Sequence, residues 1–243
     1  MSRHQLQGAP RTPAVSAGAI PQLPKNLPAF GIRPRWDQKA HTRAVEKREV
    51  SPYAEVVGAL YKAVGSFQVP AGEYMECLPG WKAFLERAQA AGFTWLGSGY
   101  FSAVFQHKSN PELALKFGFK KEDSGAAYAA WCRANKGRAA VPNVHLVTRR
   151  AAGYVVVMDK YVPKEAAGTW SAVMDQLDGF KEILHGSGYA RSLSPEQSET
   201  ARAIREFFHG LARFDLHGDN VMYCPRTEQL IITDPVSYKA GTY

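Results

Sequence analysis

The stretch that decides the fold is RFDLHGDNVMYCPRTEQLIITDPVSY, residues 213–238. Asp215 is followed five positions on by Asn220, and the run Ile231-Ile232-Thr233 ends in Asp234 fourteen positions after that. An aspartate in such a loop can orient a hydroxyl and accept its proton. An asparagine and a second aspartate at a strand end can hold magnesium ions on nucleotide phosphates. Asp-x-x-x-x-Asn also occurs often by chance, and Asp234 before Pro235 suits an ordinary turn. The reading therefore depends on what lies upstream.

Upstream, Thr94-Trp95-Leu96-Gly97-Ser98-Gly99-Tyr100-Phe101-Ser102-Ala103-Val104 reads as strand, tight turn, strand. It follows the pattern Gly-x-Gly-x-x-Gly-x-Val, with Ser102 in place of the third glycine. Small residues are needed there because backbone must approach phosphates closely. Next, Leu113-Ala114-Leu115-Lys116-Phe117 puts a lysine in an apolar strand, where it needs an anionic partner; ATP α- and β-phosphates would supply one. Either feature alone is weak. Glycine loop, lysine, catalytic loop and metal aspartate in this order, at lobe-sized spacing, predict an α+β fold of truncated, bilobal protein-kinase-like type. A small antiparallel sheet lobe would precede a reduced, mainly helical large lobe.

A narrower resemblance follows from Phe117-Gly118-Phe119-Lys120-Lys121-Glu122-Asp123-Ser124-Gly125-Ala126-Ala127-Tyr128, with Gly99–Ala103, Pro142-Asn143-Val144, Phe214–His217 and Ile232–Ser237. Over about residues 75–240 the chain resembles the early serine/threonine protein kinase of T-seven-group podophages (Autographiviridae). The resemblance implies an early phage enzyme that phosphorylates host proteins of the transcription, translation or RNA-processing machinery in the bacterial cytoplasm. Longer members carry a basic C-terminal region that shuts off host transcription; this chain ends at Tyr243 without it, so that activity is not expected.

The net charge of +8 is concentrated at the start of the chain, where residues 1–50 hold nine Lys or Arg against three acidic residues. Six prolines in the same segment, and little hydrophobic periodicity, predict an extended, mostly disordered basic arm or a strap laid over the domain. It is either a solvated tail or a binder of an acidic surface or nucleic acid. Only Phe30 and Trp36 offer the aromatic faces that a single-strand binder uses. Three widely spaced cysteines fit a reducing compartment and argue against a disulfide framework or zinc site. No apolar run is long enough to span a bilayer.

Helical spacing predicts two lead-in helices, 52–66 and 79–91, able to brace the sheet (residues 51–92). Small lobe and hinge are assigned to 93–161. Its strands are expected at 93–99, 102–107, 112–119, 144–148 and 154–158, with a helix at 123–135. The large lobe, 162–243, should hold a helix near 169–185 and another opening at Ser194-Pro195-Glu196-Gln197, a capping-box pattern. Ile204, Phe207, Phe208 and Leu211 read as its apolar face, Ile204 and Leu211 as core.

The assigned roles follow from the kinase order. Gly97, Ser98, Gly99, Ser102 and Val104 cover the nucleotide, and Lys116 holds its phosphates. Met158 lies at the back of the pocket, with Asp159 and Tyr161 along the hinge. Asp215 orients the hydroxyl; Asn220 and Asp234 bind Mg2+. The helix after Lys116 has no acidic residue between Ala126 and Arg133, so Glu122 or Asp123 is its candidate ion-pair partner, unless these are only favourable charge at a helix start. His217 either donates to the γ-phosphate or buttresses its loop. Arg213 is not adjacent to Asp215, which argues against control by a phosphorylated activation loop. Nine residues follow Asp234, leaving no peptide platform. Substrate capture is expected from residues 1–92, the 186–194 loop or a dimer partner. A small-molecule phosphotransferase and a non-catalytic host-protein binder are the rival readings.

Overall fold

The computed structural model describes residues 51–70, 73–119, 124–166, 168 and 170–237, all within one unit, 50–243. The basic arm, Glu122 and Asp123 lie outside the described residues.

Alternation along five strands builds the first layer. β1 (Phe93–Ser98), β2 (Ser102–His107), β3 (Asn110–Gly118), β4 (Val144–Arg150) and β5 (Gly153–Asp159) form one antiparallel sheet in the order β1-β2-β3-β5-β4. β5 lies between β3 and β4 and is buried on both faces, as its uninterrupted Val155–Met158 run requires. Its odd and even residues serve different cores. Val155 and Val157, with Ala103, Phe105, Leu115 and Phe117, meet two helices that precede the sheet. These are α1 (Ala54–Val64) and α2 (Trp81–Ala90), which contribute Val57, Leu60, Val64, Trp81 and Phe84. Fully burying such a side chain contributes about 1.5–3 kcal/mol, so the two helices brace the sheet's outer face.

The other face carries Ala114, Val156 and Met158 and packs with α3 (Ser124–Ala134) and the rest of the chain. There α4 (Trp170–Leu184) and α5 (Pro195–Phe208) form the helical layer. Short strands β6 (Val162–Pro163), β8 (Val221–Cys224) and β9 (Gln229–Ile232) make a second sheet; β7 (Arg213–Phe214) pairs with β10 (Val236–Ser237). This is a kinase-like α+β fold. The capping box at α5 is present: Gln197 N–H donates to Ser194 Oγ at 3.2 Å, and Ser194 N–H to Gln197 Oε1 at 3.0 Å.

Two expectations on α5 need correction. Ile204 and Phe208 are buried, but Phe207 and Leu211 are 52% and 61% exposed. The buried stripe runs Gln197, Ala201, Ile204, Phe208, and Phe207 falls beside it. Helical period then ends at His209, and Gly210 turns the backbone at φ +84°, carrying Leu211 off that face.

Candidate active site

β3 presents Lys116 toward α3 and the chain's end, where its Nζ sits 2.7 Å from Asp234 Oδ2. The two side chains are 10% and 25% exposed, so the pair is largely out of water. The charge-assisted hydrogen bond joins a β3 residue to the loop after β9, 118 residues on. β10 fixes the Asp234 end: Val236 is in register with Phe214, Asp215 N–H donates to Pro235 O at 2.9 Å, and Ser124 Oγ at the start of α3 donates to Val236 O at 2.7 Å. The residues after Asp234 are thereby tied to both α3 and the Asp215 loop.

Asn220 organises that loop. Its carbonyl accepts from Thr233 N–H at 2.9 Å, Thr233 Oγ1 at 2.9 Å and Asp234 N–H at 3.3 Å. Its Nδ2 donates to Asp215 O at 2.6 Å and lies 2.9 Å from His217 Nε2. With the amide nitrogen so committed, Oδ1 is the atom left to meet a cation. His217 Nδ1 also lies 3.3 Å from Asp219 N–H; a neutral imidazole accepts through one ring nitrogen only, so His217 accepts from either Asn220 or Asp219, in both cases within its own loop. Asp215 itself is exposed. Asp215, His217, Asn220, Asp234 and Lys116 are thus linked through one hydrogen-bonded network.

The glycine loop closes through Gly99 N–H donating to Ser102 O at 2.9 Å. Ser102 is buried opposite Gly118, and Val104 is in register with Lys116. Ser98 Oγ donates to Glu76 Oε1, and the Tyr100 ring stands edge-on to Tyr74, 5.2 Å between centroids. A Cβ added at Gly97 or Gly99 meets nothing within 4 Å among the described residues, and neither backbone is left-handed. Packing does not require glycine at either position. Open space above bare backbone is what a closely approaching phosphate needs, so these residues fit a nucleotide.

Met158 is buried on the same sheet face as Lys116. The side chains of Asp159 and Tyr161 turn elsewhere. Asp159 is 2.7 Å from His145 Nε2 and accepts from Asn143 Nδ2 at 3.0 Å, while Tyr161 OH accepts from Asn143 N–H at 2.8 Å. Both line a hollow of about 590 Å³ that none of Lys116, Asp215, Asn220 or Asp234 borders. Burial pushes the Tyr161 phenol up to about 12.

Beside Cys132, sequence reading missed four contributors. Tyr128 on α3 is fully buried, donates to Ile232 O at 3.1 Å, and has a hydroxyl pushed well above its ordinary range by burial, then by Cys132 and the Asp234 charge. Cys132, whose thiol burial raises to about 12, feels Lys116 and Asp234 as well. In a helix lacking acids, the buried Tyr was the signal. Ser124 and Thr233 are the second and third, as hydrogen-bonding struts. Lys164 is the fourth: its Nζ is 3.8 Å from Asp219 Oδ1, and its Cε lies 3.2 Å from where a Cβ on Gly218 would stand.

Fold and site together define a protein of the kinase-like class. The family model described as bacteriophage T7 protein kinase 0.7 matches residues 46–243, and the chain belongs to that family. Among solved structures it is similar to Rad53 1–466 in complex with AMP-PNP, with a TM-score of 0.35 and 17% identity over 63% of this chain and 42% of that one. It is also similar to the kinase PK-1 of Cydia pomonella granulovirus, with a TM-score of 0.34 and 12% identity over 63% of this chain and 57% of that one. The chain spans about half the length of these structures. No curated protein matches it. Among the described residues, no helix is long and apolar enough to cross a membrane.

Proposed function

We propose that the chain is an ATP- and Mg2+-dependent protein kinase that transfers phosphate to serine or threonine hydroxyls of host proteins in the cytoplasm of the infected bacterium. The observation that carries this reading is the Lys116–Asp234 contact at 2.7 Å, with Asn220 holding the backbone N–H groups of Thr233 and Asp234. Family membership supports the kinase assignment.

Gly97 and Gly99 would let the loop backbone lie against the phosphates, and Lys116 would exchange Asp234 for their oxygens. Met158 would close the adenine end. Asn220 Oδ1 and the Asp234 carboxylate would hold Mg2+, which when bound neutralises phosphate charge. The Asp215 carboxylate would orient the acceptor hydroxyl and take its proton as oxygen bonds to the γ-phosphorus and the bond to the ADP oxygen breaks. Catalysis of this kind is chiefly positioning and charge stabilisation. The basic segment 1–50 would add contacts to an acidic protein surface or nucleic acid.

Incubation with γ-labelled ATP and Mg2+ in a host lysate, wild type beside Asp215→Asn, tests the proposal. Protein bands labelled by wild type alone, with label recovered as phosphoserine or phosphothreonine, are expected. Absence of any labelled protein from a folded wild type would turn attention to small-molecule acceptors or a binding role.

A further inference from the structure

Between the end of α4 and the outward side of α5 lies a hollow of about 480 Å³, bordered by Gly186, Gly188, Arg202, Arg205, Glu206 and His209. Positions 202, 205 and 209 fall on one helical face. Arg205 Nε is buried and meets no hydrogen-bond partner among the described residues. A buried guanidinium donor left unmet is costly, and such a group commonly marks a missing ligand. Arg202 donates to Gly188 O at 3.3 Å, tying the turn to the helix; Gly186 holds φ +113° with a Cβ position 3.5 Å from Arg205 Nη2. Among the described residues neither arginine has a carboxylate within ion-pair distance, Glu206 included.

The hollow adjoins the approach to Asp215. His185, one residue before Gly186, stands edge-on to Phe214 with centroids 6.5 Å apart, and His209 begins the connection that ends at Asp215.

We propose that this hollow binds a phosphorylated serine or threonine of a protein segment. A phosphate monoester brings nearly two negative charges and three acceptor oxygens, a match for two guanidinium groups and an imidazole. A carboxylate has one charge and two oxygens, and would leave a donor still unmet. A nucleic-acid diester carries a single charge per phosphate, and among the described residues no Phe, Tyr or Trp borders the hollow to stack its bases. The site's use in catalysis, as an anchor for already phosphorylated substrates beside Asp215, rests on the kinase reading; the binding itself does not.

The test is fluorescence anisotropy with the full chain and a labelled glycine- and alanine-rich peptide carrying one phosphoserine, beside its serine twin. The phosphopeptide should bind at least about tenfold more tightly, and Arg202→Glu or Arg205→Gln should each remove about that factor. Arg202 is exposed, so its variant should keep the wild-type melting temperature even if Arg205→Gln weakens folding. Asp215→Asn should bind unchanged. Equal binding of the twins, phosphopeptide binding that survives Arg202→Glu, or tighter binding of a short single-stranded oligonucleotide would overturn the assignment. Because no turnover is needed, phosphopeptide binding without phosphate transfer would sink the kinase reading alone, and transfer without binding would sink this one alone.

Discussion

Three glycines separate what the fold needs from what a nucleotide needs. At Gly118 an added Cβ would fall 2.0 Å from Tyr154 Cε1 and 2.1 Å from Cζ. Ordinary contact begins near 3.4 Å, so the ring would have to retreat by more than an ångström, and Tyr154 is fully buried. Overpacking typically costs about 1–3 kcal/mol, and this clash belongs at the upper end. At roughly 2–4 °C per kcal/mol for a chain of this size, Gly118→Ala should melt about 6–12 °C below wild type. Gly97 and Gly99 have open Cβ positions and no left-handed backbone. Alanine at either should therefore stay within about 0.5 kcal/mol of wild type. If ATP phosphates approach that backbone, Gly99→Val should still lower ATP affinity by about tenfold or more, near 1.4 kcal/mol. Calorimetric melting of each variant, followed by ATP titration in Mg2+, reads both quantities. A Gly118→Ala melt within 1–2 °C of wild type would refute the packing argument. Unchanged ATP affinity in a folded Gly99→Val would refute the placement of the phosphates.

Other outcomes follow from the same geometry. Asp234→Asn removes a largely buried charge-assisted bond to Lys116 and should lower stability by about 1.5–3 kcal/mol, measured by urea unfolding. Tyr128→Phe should lose about 1 kcal/mol by the same assay, through its bond to Ile232 O, while leaving the backbone in place. Ser194→Ala should cost about 1 kcal/mol by breaking the capping box. With the Cys132 thiol pushed up to about 12 and buried, alkylation of the native protein near pH 8 should modify the exposed Cys77 and spare Cys132 until the chain unfolds; peptide mapping would show it.

Much of the fold was legible because its signals are local. The apolar run 155–158 specified a strand buried on both faces, and Ser194-Pro195-Glu196-Gln197 specified a helix start to the residue. The order of glycine loop, Lys116, Asp215, Asn220 and Asp234 predicted a kinase-like fold, and the structure brings the last four into one network. What escaped was set by tertiary contact. Nothing local to Lys116 says that Asp234, 118 residues away, comes within 2.7 Å of its ammonium. Leu211 was misread because a helical period was continued past a cap that only the backbone at Gly210 reveals. Asp159 and Tyr161 sit in the expected segment, but their side chains follow Asn143 and His145, whose pull depends on the bulged pairing of β4 with β5.

The clasp between the phosphate loop and the segment before α2 bears on where this protein can be cut. Ser98 and Tyr100 hold Glu76 and Tyr74, while α1 and α2 roof the strands that carry that loop. A fragment begun at Phe93, where the glycine-loop strand starts, would lay bare Phe105, Leu115, Phe117, Val155 and Val157 and release the loop from its anchor. Such a fragment should aggregate, and one begun before Tyr53 should not. The smallest separable piece that keeps the nucleotide loop in place is therefore larger than the catalytic motifs alone would suggest.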